Sequence, residues 1–224
     1  SCSARLVLTA RTALPERAQW DRLLADPETS PALQSRLRRL KELEDLGAEL
    51  LICVADVSDP AQMASAIAAA GRRFGAIRGV IHAAGELGTH DPLQQKSRES
   101  VEAVLRPKVE GTLVLDELFA ASRLDFLVLC SSISTSFGSQ GMSDYSSANA
   151  FQDAFARSGR ARSTDRVVSI GWDSWRDVGF AVALGGDPDG PALRNAIAAH
   201  EGAQALGIAM AAGLPHVYVS RQDM

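Results

Sequence analysis

Apolar positions along this chain recur with two periods, and the period switches repeatedly. Arg5-Leu-Val-Leu-Thr9 is a short β-branched and apolar run that predicts a strand. Pro15 opens a polar stretch. From Pro31 to Glu49, leucines 33, 37, 40, 43 and 46 return at threes and fours with Arg and Glu between them. That spacing predicts an amphipathic helix, and Gly47 stops it. Leu50-Leu-Ile-Cys-Val-Ala-Asp56 is unbroken, the pattern of a strand covered on both faces. Ser58-Asp59-Pro60 breaks it, and Ala61 to Phe74 predicts a helix with Pro60 in its first turn. Ile77 to Ala84 predicts a strand, Glu86 to Gln95 a loop, and Ser100 to Ala121 a long helix interrupted only by Pro107. Further on come a strand over Asp125 to Cys130, a helix over Tyr145 to Gly159 and a strand over Arg166 to Gly171. Leu193 to Ala212 predicts a helix, and His216-Val-Tyr-Val-Ser220 a last strand.

Strands alternating with helices imply a parallel sheet covered on both faces, with right-handed crossovers. The fold class is therefore α/β, a Rossmann-like doubly wound parallel sheet. No internal repeat or low-complexity linker divides the 224 residues, so one domain is expected over 1–224. The apolar fraction of 46% and charged fraction of 22% are those of a soluble globular chain, and the net charge of −4 argues against a nucleic-acid surface. No run is long and apolar enough to span a bilayer, and no signal segment opens the chain. Cys2, Cys53 and Cys130 leave an odd thiol, and two of them sit in apolar runs, which reads as reduced cysteine in a cytoplasmic protein. The four histidines, His82, His90, His200 and His216, have no ligand spacing, so no metal is expected.

The chemistry concentrates between Leu127 and Asn149, beginning with Leu127-Val-Leu-Cys-Ser-Ser132. A buried strand delivers Ser132 to the carboxyl edge of the sheet, where ligands of open α/β sheets are handled. After a loop of small residues, a helix delivers Tyr145 and, four residues on, Asn149 on the same face. Ser131 is less favoured than Ser132, because adjacent strand side chains point to opposite faces. The second tyrosine, Tyr218, lies in an alternating strand and reads as core. A phenol with a pKa of about 10 needs a nearby cation to work at neutral pH. Lys108, in Arg106-Pro-Lys-Val-Glu-Gly-Thr112, is the candidate cation. A lone helical lysine is usually a solvated one, but an interior proline costs about 3 kcal/mol and signals a special local geometry beside it.

Lys108, Ser132, Tyr145 and Asn149 together resemble the active site of the ketoreductase domain of modular polyketide synthases, a branch of the short-chain dehydrogenase/reductase family. The resemblance covers the whole chain. It rests on Ala55-Asp56-Val57, His82-Ala-Ala-Gly85, Arg106-Pro-Lys-Val-x-Gly-Thr112, Ser131-Ser132, Tyr145-x-x-Ala-Asn-Ala-Phe151 and Ile170-Gly-Trp-Asp-Ser-Trp175. Simpler members of that family carry Tyr-x-x-x-Lys. Here Asn149 takes the lysine position and Lys108 lies on the preceding helix, the exchange typical of synthase ketoreductases. A helix from Ala18 to Gly47, longer than usual at that point, is similar to those of some bacterial assembly lines.

The resemblance implies roles. Tyr145 would donate a proton to the carbonyl oxygen, Ser132 would hydrogen-bond that oxygen, Lys108 would lower the phenol's pKa and contact the cofactor ribose, and Asn149 would place a water or the lysine for proton resupply. The cofactor implied is NADPH, since Thr9-Ala-Arg11 offers no acidic group for a 2′-hydroxyl whereas Arg11 can pair a 2′-phosphate. Taken alone, Arg11 is a solvated loop cation. Asp56 and Val57 would meet the adenine, although an Asp ending a strand is as often a helix cap. Ala83, Ala84 and Gly85 lack bulk where the cofactor passes. Trp172 and Trp175 are equally pocket lining or core. The Gly- and Asp-rich stretch from Arg176 to Pro191 is expected to form a lid.

Eighteen glycines occur, none in a Gly-x-Gly-x-x-Gly, so the family's first strand and phosphate-cradling loop are expected from upstream sequence or a separate chain. Glu86-Leu-Gly-Thr89 and Phe137 stand where the family's stereochemical markers would be, and neither points to an alcohol configuration. The implied activity is reduction of a β-ketoacyl chain carried on an acyl carrier protein, beside neighbouring synthase domains. A second reading is an inactive ketoreductase remnant that scaffolds those neighbours. A stand-alone dehydrogenase for a free metabolite fits poorly with Asn149.

Overall fold

Among the described residues, two strands and three α-helices build the first unit, which ends at Ala76. In a computed structural model describing residues 4–138, 140–183 and 190–222, β1 (Arg5–Ala10) and β2 (Glu49–Val54) pair in parallel, with Arg5 opposite Glu49 and Ala10 opposite Val54. The parallel pairing requires a crossover, supplied by α1 (Trp20–Ala25) and α2 (Pro31–Asp45). The single long helix expected from Ala18 to Gly47 is therefore two. Ser30 caps α2 by accepting from the Leu33 N–H at 3.4 Å, and Pro31 takes its first position. A proline there has no N–H with which to continue a preceding turn. Gly47, at φ 91°, comes just after the end of α2. Trp20, Leu37 and Leu40 are buried against Leu8, Leu50 and Ile52 of the strands.

Asp59 caps α3 (Pro60–Phe74), accepting from the N–H groups of Ala61 at 2.9 Å and Gln62 at 3.0 Å. Met63, Ala66 and Ala70 are its buried stripe, and α3 lies against both strands. The run Leu50–Asp56 is not covered throughout, as its pattern predicted. The strand stops at Val54, which is 56% exposed.

Residues 77–224 form a second unit. Its sheet has the order β3-β4-β5-β6, all parallel: β3 (Gly79–His82), β4 (Phe126–Ser132), β5 (Val167–Trp172) and β6 (His216–Val219). β4 is internal, and Leu127, Val128 and Leu129 are wholly buried. It runs further than the sequence pattern indicated, so Ser132 is still a strand residue, paired with Trp172. α4 (Arg98–Phe119) and α6 (Ser143–Ser158) pack on each other, and α6 also packs on β4. A short α5 (Ser134–Phe137) turns the chain after β4, and two short helices, α7 (Phe180–Ala183) and α8 (Pro191–Arg194), precede α9 (Ala199–Ala211). Leu206, Ala209 and Met210 of α9 pack on Val128, Val168 and Ile170.

Pro107 does not interrupt α4, which is continuous over 22 residues. The proline leaves one carbonyl of the preceding turn without its usual donor. The neighbouring strand supplies a tie of its own here: His82 Nε2 donates to the Pro107 carbonyl at 3.0 Å. Two strand glycines carry a different kind of contact. Gly79 stands opposite Phe126, and Gly171 opposite Tyr218. A Cβ at Gly79 would lie 2.2 Å from Phe126 Cζ, and one at Gly171 2.3 Å from Tyr218 Cδ1. In each case the ring of the adjacent strand covers the bare Cα. Tyr218 is half-buried rather than a core residue, because its phenol bonds Thr135 Oγ1 at 2.9 Å and accepts from Ser136 Oγ at 2.6 Å.

Candidate active site

The site grows from the carboxyl end of β4. Ser132 Oγ accepts from the Ser134 N–H at 3.2 Å as the chain turns into α5. Gly138 at φ 69° and Gly141 at φ 72° then reverse the chain, and α6 begins at Ser143 with Tyr145 in its first turn. Burial raises the pKa of the Tyr145 phenol, while hydrogen bonding with the Ser132 side chain and then with that of Asn149 pulls it down. Ser132, Tyr145 and Asn149 are thus brought together. Asn149 is fully buried, and its Nδ2 donates to the Tyr145 carbonyl at 2.8 Å. Its Oδ1 is buried without a partner among the described residues. Ser131 points elsewhere, its hydroxyl 3.4 Å from the Asn149 carbonyl.

Lys108 is 3% exposed, so its ammonium is an interior cation rather than a solvated one. Nζ donates to the Cys130 carbonyl at 2.6 Å and to Gln152 Oε1 at 3.1 Å. These bonds hold it at the end of β4, two residues from Ser132, and not on the phenol itself. Burial lowers its pKa to about 8, opposed by the charges of Cys130 and Asp153. Beside it His82, buried and next to that cation, has its pKa lowered to about 3 and is neutral at physiological pH. Gln152 was not singled out from sequence. The available signal was its spacing, since residues 145, 149 and 152 share one helix face. Gln152 is fully buried, and its Nε2 donates to Thr112 Oγ1 at 3.4 Å.

The exit of β3 forms a shelf beside these groups. Ala83 and Ala84 are exposed, and a Cβ on Gly85 would stand 3.1 Å from Lys108 Cε. Phe180 meets the Tyr145 ring edge-on, with centroids 6.0 Å apart and planes at 87°. It comes from the stretch expected to be a lid, of which residues 184–189 lie outside the described residues. Trp172 and Trp175 pack on each other, with centroids 4.9 Å apart. Trp172 also joins the β5–α9 core, and Trp175 covers Gly202.

In the first unit, Thr9 and Arg11 are exposed at and just beyond the end of β1. Asp56 is not a helix cap, a role that Asp59 fills. Its Oδ1 accepts instead from the Ser58 N–H at 2.9 Å and from the Ser58 hydroxyl, and its own N–H donates to Gln62 Oε1 at 2.9 Å. Val57 is buried at 8% exposure. Cys53 and Cys130 are free thiols, both raised in pKa by burial, while Cys2 lies outside the described residues. Among the described residues no group of three His, Cys, Asp or Glu could hold a metal, and no helix is long and apolar enough to cross a membrane.

A family model described as "KR domain" matches residues 1–177. The 6-methylsalicylic acid synthase of Aspergillus terreus is 41% identical over 180 residues, which is 80% of this chain and 10% of that protein. Polyketide synthase PksM of Bacillus subtilis is 38% identical over 153 residues, 68% of this chain and 4% of that protein. The chain therefore spans a tenth or less of the length of these relatives. A ketoreductase domain from the bacillaene assembly line superposes with a TM-score of 0.76 at 26% identity, over 97% of this chain and 49% of that one. The first ketoreductase of the tylosin polyketide synthase gives 0.68 at 30% identity, over 96% and 43%.

Proposed function

The chain belongs to the KR family, the ketoreductase domains of polyketide synthases, and on that premise we propose that it reduces a β-ketoacyl group, carried on an acyl carrier protein, to the β-hydroxyacyl product with NADPH. The observation that carries this reading is the buried Tyr145 phenol set beside Ser132 at the carboxyl end of β4, close enough that the serine side chain opposes the rise in its pKa, with the Lys108 cation held at Cys130 of the same strand. NADPH would supply the hydride.

Tyr145 donates a proton to the oxygen on which negative charge grows, and Ser132 shares that oxygen and fixes its position. Burial raises the phenol's pKa, which keeps its proton in place until the oxygen becomes basic. The unpartnered Oδ1 of Asn149 suits a water that returns a proton to the phenol. Lys108 faces the shelf of Ala83, Ala84 and Gly85, where a bare Cα leaves room beside its stem, and these four would hold the nicotinamide end. Thr9, Arg11, Asp56 and Val57 would serve the adenosine end, with Arg11 on a 2′-phosphate. The relatives are multidomain synthases, so neighbouring synthase domains are the proposed partners, in the cytoplasm.

The test uses the full-length protein, NADPH and a β-ketoacyl thioester. Tyr145→Phe should lower kcat by about 10²–10⁴, the usual share of a positioned acid. Full activity in that variant overturns the mechanism. The alternative weighed from the sequence is a ketoreductase-derived scaffold without catalysis. NADPH fluorescence titration separates the two, because a scaffold binds no coenzyme.

A further inference from the structure

The residue immediately before the proton donor is one half of an ion pair sealed from water. Asp144 Oδ2 accepts from Lys96 Nζ at 3.0 Å, and both side chains are 0% exposed. The carboxylate is used once more, and so is the ammonium. Asp144 Oδ1 accepts from the backbone N–H of Tyr145 at 2.9 Å, and Lys96 Nζ also donates to the Thr89 carbonyl. One charged cluster thus joins the loop between β3 and α4 to the first turn of α6.

A second observation points to the same junction. Gly88, at φ 72°, would place a Cβ 2.6 Å from Val104 Cγ2 and 3.2 Å from Asp144 Oδ2. Gly141, also at φ 72°, would place one 2.2 Å from the His90 carbonyl oxygen. Gly88 thus lets its loop lie against α4 and the first turn of α6, and Gly141 lets the chain before α6 approach the His90 backbone, each closer than a side chain would permit. Neither loop can shift without disturbing the pair, and the pair is bonded to the backbone N–H of Tyr145.

We propose that Lys96 and Asp144 are positioning residues for Tyr145. The pair clamps the loop of residues 86–96 onto α6 and fixes the direction in which the first turn presents its phenol to Ser132. The inference rests on the reading of Tyr145 as proton donor and goes beyond it, since neither residue touches the phenol oxygen. A group that orients a catalytic side chain acts mainly on the rate of the chemical step, because small displacements of a reacting atom are costly there. It leaves coenzyme affinity alone.

The experiment measures kcat, KM, NADPH Kd and thermal midpoint on the full-length protein for four variants. Lys96→Met and Asp144→Asn should each lower kcat by about tenfold or more while KM and Kd stay within about twofold. Lys96→Arg, which keeps the charge, should recover most of the rate. Folded single variants with wild-type kcat, or a loss confined to KM or Kd, overturn the proposal. If the single variants do not fold, the double variant Lys96→Met with Asp144→Asn decides, because it leaves no unpaired ion inside. A folded double variant with kcat about tenfold lower sustains the proposal, and wild-type kcat overturns it. Tyr145→Phe run in parallel keeps the two claims apart. If that variant retains full activity, the proton-donor reading fails and the positioning role falls with it, whatever the Lys96 variants do.

Discussion

The interiors of the two units are built by different means. In the first, Ser58 is the only buried polar side chain among the described residues; its buried apolar residues are Trp20, Leu37, Leu40, Ala55, Val57, Met63, Ala66 and Ala70. Its ion pairs, Arg5–Glu49, Arg17–Glu44 and Lys41–Asp21, lie outside on largely exposed side chains. The second unit buries His82, Lys108, Asp116, Asp144, Asn149, Gln152 and Asp153, each in a web of hydrogen bonds or charges. Apolar burial stabilises at little risk, whereas a buried polar group costs free energy unless every bond is made. Such groups gather in the unit that holds the candidate site. The contrast points, without reference to any relative, to the same unit as the proposed reaction.

Perturbations should separate the units accordingly, and the largest effect lies in the site. Tyr145→Phe should remove about 10²–10⁴ of kcat with the thermal midpoint nearly unchanged, while Tyr218→Phe should do the reverse, losing stability and keeping rate. A tyrosine pair that behaved alike would erase the distinction between working and structural phenols. Next, Leu37→Ala in the first unit should cost about 3 kcal/mol in urea unfolding by opening a cavity, with the cost independent of pH.

Asp116→Ala in the second unit should cost about 2 kcal/mol with almost no volume at stake, because the N–H groups of Arg162 and Ser163, each 2.8 Å from Oδ1, lose their acceptor. His82 gives an acid-side test of similar or smaller size. Its pKa is 6.5 in the unfolded chain and about 3 in the fold, so between those values the unfolded state binds the extra proton. Stability is full above pH 6.5 and declines as pH falls, by about 2 kcal/mol at pH 5. His82→Gln, which can still donate to the Pro107 carbonyl, should flatten that slope.

Much of this was legible in the chain. Leucines at threes and fours gave α2, and the strand ending in Ser131-Ser132 followed by a tyrosine-led helix gave the site its frame. What escaped was long-range or compensated. Lys96 and Asp144 are 48 residues apart, and a lysine in a polar loop reads as solvated until the fold is known. Pro107 looked like an interruption because its cost is local, whereas the tie from His82 to its carbonyl is tertiary. Gln152 carried only a helical spacing shared by many solvated residues. The start of α2 at Pro31 was legible in the leucine spacing, and only the resemblance carried a single helix across it from Ala18 to Gly47.

The paired glycines of the second sheet have a consequence for how the sequence can drift. Gly79 with Phe126 and Gly171 with Tyr218 are lock-and-key couples between adjacent strands, each key a ring and each lock a missing methyl. Alanine at either glycine would strike the ring, and a smaller residue at either ring would uncover bare backbone. Change at one member is therefore tolerable only with change at the other. Among descendants of this sequence, these two couples should vary together or stay fixed, and they supply a strand-order signature that survives when overall identity has faded.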